Sequence, residues 1–167
     1  YFPDSKTDLF SVFIEVLMDF VNDKGTIAMV TPDSWMFLTG HLGVRERIQN
    51  ESHISTMIHL GNGAFPDVVV SATAFTIVRE DKDSLGDFIR VVTGNEATKK
   101  EMSLKATNGA MEEIKYSAGN NDFIVFPGKI IAYWASSSFK KIFEFGQLDD
   151  KSTVITGMTI GDNTKYL

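Results

Sequence analysis

The sequence predicts an α/β fold: a mostly parallel sheet finished by an antiparallel last strand, with a smaller α+β appendage behind it. Three observations carry this. A helical apolar pattern over residues 7–21 runs straight into a short β-branched stretch, TIAMV at 26–30, bounded by Gly25 and by Thr31 and Pro32. A second helix over 40–50 leads into a second strand at 54–60. A third strand, 68–79, follows after only a glycine-rich break, which leaves no room for a crossover helix and so implies an antiparallel pair.

In the first helix, Leu9, Phe10, Phe13, Val16, Leu17, Phe20 and Val21 recur at helical spacing and define the face expected inward. Thr7 or Asp8 serves as N-cap, and Asn22, Asp23, Lys24 and Gly25 form a stop with glycine at the C′ position. The 26–30 run reads as a strand buried on both faces. Ligands of open α/β sheets bind beyond the carboxyl ends of the strands, so Thr31, Pro32, Asp33, Ser34 and Trp35 are expected to face that crevice. Trp35 itself reads either as core or as a ligand platform. The second helix turns Leu42, Val44 and Ile48 inward and Arg45, Glu46 and Arg47 outward. Between the next two strands, Phe65 and Pro66 sit among glycines. An aromatic there either plugs the end of the sheet or offers its ring to a planar ligand.

From Glu80 the character changes, and a boundary between Glu80 and Gly86 divides residues 1–82 from 83–167. A strand is expected over 88–92, helix in parts of 95–115 with a break at Asn108 and Gly109, strand over 123–126 and helix over 139–145. Residues 156–163 form a glycine-punctuated loop, read as plain loop or as a phosphate cradle.

With 43% hydrophobic and 11% aromatic residues among 167, the chain can build a core. It has no cysteine, which rules out disulfides and thiolate metal sites and fits a reducing, cytoplasmic setting. No apolar run reaches membrane-spanning length. The net charge of -6 argues against strong duplex binding by this piece alone, and Lys99, Lys100, Lys105, Lys115, Lys140 and Lys141 read as solvated surface. His41, His53 and His59 lack metal-ligand spacing and read as surface or strand-end residues, so no metal is expected. Asp4, Asp8 and Glu15 are best explained as helix-start carboxylates. Walker A, nucleophile-elbow and zincin motifs are absent. The opening Tyr1, Phe2, Pro3 and Asp4 is unlike a natural start, and the chain reads as a piece of a longer protein.

Two stretches, DLFSVFIE at 8–15 and TPDSW at 31–35, resemble motifs of the gamma-class amino-group adenine-specific DNA methyltransferases. Two later ones, PGKIIAYW at 127–134 and GMTIGDN at 157–163, resemble the large BREX-type, PglX-like phage-exclusion methylases and related restriction-modification enzymes. The resemblance implies the C-terminal half of a class I, Rossmann-like S-adenosylmethionine-dependent sheet, with 83–167 leading to the target-recognition region. It implies methyl transfer from S-adenosylmethionine to the N6 amino group of a flipped adenine. By the same likeness Phe65, with Pro66, matches the aromatic that packs on the flipped base, and Phe13, with Leu9, the cofactor's adenine pocket. Thr31, Pro32 and Trp35 would line the substrate crevice. The helix stop has one glycine fewer than the commonest family form. No catalytic residue carries over, because neither the Asn-Pro-Pro-Tyr loop nor the glycine-rich cofactor loop occurs in this sequence. The piece alone is therefore expected to be inactive, and its parent to act on double-stranded DNA, with restriction or phage-defence subunits as partners and no membrane. A truncated sheet would also self-associate through its open edge. The rival is a non-catalytic DNA- or partner-binding module of a restriction system. A generic α/β domain stays open if Phe65 proves to be core.

Overall fold

The computed structural model describes residues 5, 8–67, 69–145 and 152–153. Helix α1 (Leu9–Phe20) leads into β1 (Thr26–Pro32), and α2 (Leu42–Glu51) into β2 (His53–Gly61). A loop then returns the chain as β3 (Ala72–Val78), followed by β4 (Gly86–Arg90), α3 (Glu96–Thr107), β5 (Lys115–Ala118), α4 (Asn120–Ile124) and α5 (Ser137–Ile142). One five-stranded sheet runs in the order β1-β3-β2-β4-β5. β3 is antiparallel to both β1 and β2, which makes those two parallel to each other with the last strand inserted between them. The antiparallel pairing of β3 with β2 is as predicted.

β4 pairs parallel with β2, and β5 closes antiparallel on β4. The sheet therefore continues across the expected boundary at Glu80 to Gly86, and one apolar cluster joins Ile14, Trp35 and Ile77 to Phe88, Phe123 and Tyr133. Buried polar groups stitch the same seam. The Asn120 amide donates to the carbonyls of Gln49, Ser52 and Lys82, at 2.8–3.1 Å. Residues 83–145 pack as part of the same body.

Several local expectations are corrected. β1 is buried on one face only: Ile27 and Thr31 point into the core, whereas Thr26, Ala28 and Val30 are exposed. The open face continues through Ala74 and Thr76 of β3 and Thr56 and Ile58 of β2. Helix α1 buries Ser11, Ile14, Glu15 and Met18; of the expected stripe, Phe10, Leu17 and Val21 pack partly buried against the core, whereas Leu9, Phe13 and Phe20 are exposed. Asp8 takes the N-cap position without a side-chain capping bond; the Ser11 hydroxyl instead donates to the Asp8 carbonyl at 2.7 Å. At the other end the left-handed residue is Lys24 (φ 66°), not Gly25. Gly25 is needed for room, since a Cβ there would lie 2.2 Å from Val21 Cγ2. The Arg79 guanidinium finishes α1 by donating to the carbonyls of Met18 and Val21.

Arg45, expected outward, is 1% exposed. Its guanidinium binds the carbonyls of Trp35, Leu38 and Gly128, so it is a peg between α2 and two loops. Burial pulls its pKa down, partly offset by the charge of Glu46. Residues 69–71 of the expected third strand are loop instead, with Val69 96% exposed. Residues 123–126, expected as strand, belong to α4 and its exit turn; the Asp122 carboxylate accepts the Gly119 N–H at 2.9 Å and starts that helix. The motif at 157–163 and residues 1–4 lie outside the described residues.

Candidate functional site at the carboxyl ends of β1 and β2

Three segments converge where β1 and β2 end. The first is the turn after β1, a 3-10 helix at Asp33–Met36. The second is the β2–β3 loop that carries Phe65, and the third is the returning stretch 131–134. The Ile131 N–H donates to the Met36 carbonyl at 3.1 Å and holds that stretch against the turn. Phe10 of α1 lies 5.4 Å, ring to ring, from His41, which brings the start of α1 to the same end of the sheet.

At the centre is a hydrogen-bonded chain. His59 Nε2 and Asp33 Oδ2 are 2.9 Å apart, and His59 Nδ1 lies 3.0 Å from the Tyr133 hydroxyl. The Ser71 hydroxyl also donates to Asp33 Oδ2. An ionised carboxylate only accepts, so Nε2 carries the hydrogen toward Asp33 and, in the neutral ring, Nδ1 accepts from Tyr133. Burial pushes the Tyr133 phenol up, against the pull of the Arg90 charge, so it stays a donor. Burial also pushes the Asp33 carboxyl up, but the bonds from His59 and Ser71 and the His59 charge outweigh it, and the net shift is downward. Phe37, Tyr133 and Trp134 enclose the imidazole at about 6 Å between ring centres. The Arg90 guanidinium sits 5.1 Å over the Trp134 ring, within cation–π range.

This chain has a pH signature. A carboxyl held below its ordinary value stabilises the fold above the unfolded pKa, and that contribution disappears as the pH falls through the folded value. Compared with Asp33→Asn, the wild-type chain should lose stability faster below about pH 4. Urea midpoints taken between pH 3 and pH 6 check this; parallel curves for the two proteins would contradict it.

The β2–β3 loop is fixed at its base. Gly61 has φ 66°, and a Cβ there would come within 3.0 Å of the Val92 backbone, so only glycine turns the chain here. Lys99 of α3, expected at the surface, is 2% exposed, and its ammonium donates to the carbonyls of Leu60 and Val92. Burial lowers its pKa. At the tip Phe65 is 43% exposed, so it does not plug the sheet.

The other expected site residues separate. Trp35 is fully buried on Phe75, 4.8 Å between ring centres, and Thr31 is buried with its hydroxyl on the Pro32 carbonyl. Neither faces a crevice; Pro32, Asp33 and Ser34 do reach partial exposure. Phe13 and Leu9 are 52% and 68% exposed along the outer side of α1. Sequence reasoning missed His59, Ser71 and Tyr133. Of His41, His53 and His59, expected at surfaces or strand ends, His53 does open β2, but none is at the surface: all three are buried. One signal was available: His59 replaces an apolar residue on the inward parity of β2, where an unpaired imidazole would be costly.

Two parallel strands parted by an inserted antiparallel third form a mixed α/β sheet with three segments gathered at the carboxyl ends of those strands. Solved structures share this fold. A modification subunit of a type I restriction enzyme from Vibrio vulnificus YJ016 superposes with a TM-score of 0.52 at 13% identity, over 68% of this chain and 28% of that one. A chain of a type I restriction-modification system gives 0.57 at 12% identity, over 81% and 35%.

Residues 1–65 match the family model of the Eco57I restriction-modification methylases. Over its whole length the chain is 33% identical to the adenine-specific methyltransferase PglX of Lacticaseibacillus casei (strain Zhang). Over 85% of its length it is 35% identical to the adenine-specific methyltransferase BrxX of Escherichia coli O9:H4 (strain HS). The matched stretches span only 14% and 12% of those relatives' own lengths.

Proposed function

We propose that this chain is a segment of a site-specific DNA adenine-N6 methyltransferase of a restriction-modification or phage-exclusion system, which moves a methyl group from S-adenosylmethionine to a flipped adenine. The observation that carries the reading is the half-exposed ring of Phe65, held on a clamped loop at the strand ends of a chain homologous to adenine-specific methyltransferases. A base extruded from a duplex needs a flat apolar partner. Phe65 offers one, with Pro66 beside it. The exposed Phe13 ring and Leu9 would pack on the cofactor's adenine, an apolar fit that covers only part of S-adenosylmethionine. Pro32, with Asp33 and Ser34, would border the crevice.

The enzyme would work in the cytoplasm on double-stranded DNA, with restriction or phage-defence subunits as partners and with residues from 83 onward leading to target recognition. Among the described residues, no helix is long and apolar enough to cross a membrane. The 167-residue chain alone should transfer no methyl group, because it lacks an Asn-Pro-Pro-Tyr loop to hold the target amino group. Its open sheet face and the outer edge of β1, unpaired among the described residues, support self-association of the isolated piece.

The test compares N6-methyladenine formation by the full-length parent and its Phe65→Ala variant. Stacking on an aromatic is worth about 1–3 kcal/mol, so a roughly ten- to hundredfold loss of methylation is expected with the fold intact. Unchanged methylation would remove Phe65 from the site. Absence of methylation even in the wild type would favour a non-catalytic binding module.

A further inference from the structure

We propose that the Asp33 carboxylate is a clip that closes the base of the β2–β3 loop and thereby makes Asp33 a positioning residue for Phe65. A single oxygen, Oδ2, takes one hydrogen bond from each stem: His59 on the outgoing strand and Ser71 just before the returning one. The two stems are paired in the sheet at His59 and Thr73 and again at Gly61 and Ala72, with a register shift between. The Asp33 N–H donates to the Ser71 carbonyl at 3.0 Å, so side chain and backbone grip the same returning stem. His59 cannot swing away from this bond, because its other nitrogen is held by Tyr133 and its faces are walled by aromatic rings. Lys99 secures the carbonyl of Leu60 from the far side. Fixing the stems this tightly leaves the exposed tip, Phe65, few places to be.

The inference rests on the reading of Phe65 given above, but its content is separate: order in the loop is set at Asp33. Misplacing a reacting or stacking group by an ångström can cost about a hundredfold in rate. Asp33→Ala should leave the KM for S-adenosylmethionine unchanged and lower kcat of the full-length enzyme by roughly ten- to a hundredfold. Asp33→Asn, which keeps an acceptor oxygen, should recover most of it. The structural readout is amide hydrogen exchange on the 167-residue chain. Exchange at the Asp33 amide, which donates to Ser71, and in the stems around His59 and Thr73 should quicken at least about tenfold in Asp33→Ala while α1 and α2 stay protected, and should return toward wild type in Asp33→Asn. Ser71→Ala, which removes one arm from a partly exposed site, should show a smaller effect in the same direction.

Unchanged exchange at the Asp33 amide and in the two stems would overturn the clip whatever the parent's activity. Acceleration spread evenly through the sheet and not rescued by Asn would overturn it too, since Asp33 would then be serving the fold as a whole. If the exchange pattern holds but no wild-type methylation is found, the clip stands and the methyltransferase reading fails.

Discussion

Truncating Trp35 to alanine is expected to destabilise the chain by about 3–5 kcal/mol, as for other fully buried large aromatics. The indole is inaccessible to solvent and packs on Phe75 of the central strand, with Met36 beside it equally buried. It lies where the turn after β1 meets the core, so its removal opens a cavity under the turn that carries Asp33. Trp35→Phe should recover much of the loss by refilling part of that volume. Equilibrium urea denaturation distinguishes the two roles this residue could have had. A crevice platform would lose ligand binding while keeping stability; a loss below about 1 kcal/mol for the alanine variant would therefore refute the core assignment.

Arg45 should be nearly as sensitive. Replacing it with methionine keeps an apolar stem but strips the carbonyls of Trp35, at 2.7 Å, and Gly128, at 2.9 Å, of their donor, while Leu38 loses a 2.8 Å bond and keeps the His41 N–H. Unsatisfied buried acceptors cost about 1–3 kcal/mol each before relaxation, which puts the expected loss at roughly 3 kcal/mol or more. Lysine should not rescue, because a point charge cannot span carbonyls on different segments as the planar fork does. The loss should also loosen the stretch after Gly128 and with it the hold of Tyr133 on His59. Denaturation of the methionine and lysine variants, with hydrogen exchange over 128–135, tests both parts. Stability within about 0.5 kcal/mol of wild type, the usual range for surface substitutions, would show that the carbonyls find other donors.

These two residues mark where the sequence was readable. The succession of α1, β1, α2, β2 and β3 follows from apolar periodicity and the short β2–β3 break, and the antiparallel pairing of β2 with β3 is legible there, whereas the place of β3 between β1 and β2 is not. Orientation is harder. Helix α1 is apolar nearly all round, so spacing alone could not tell the buried Ile14 and Met18 from the exposed Phe13 and Phe20. Arg45 and Lys99 look like surface residues because their charge is visible in the sequence and their carbonyl partners are not. The short apolar run at 123–126 is too brief for periodicity to separate strand from helix, and the deciding contact is the local Asp122 cap. The site shows the same division. Phe65 could be singled out from its glycine-rich surroundings. The Asp33–His59–Tyr133 chain could not, because its members are 26 and 74 residues apart and meet only once the sheet has formed.

The insertion of β3 between β1 and β2 also sets an order of events during synthesis. Among the described residues, β1 pairs only with β3, and β2 only with β3 and β4. Until the chain has emerged through Val78, none of the first three strands has a neighbour in this sheet. The nearest pairing in sequence is the β2–β3 hairpin, and local closures form before distant ones. Among the described strands, β1 then adds to the free edge of β3. The loop that carries Phe65 is thus the turn through which β2 and β3 first meet, and a sequence that shapes its stems for one task is shaping them for both.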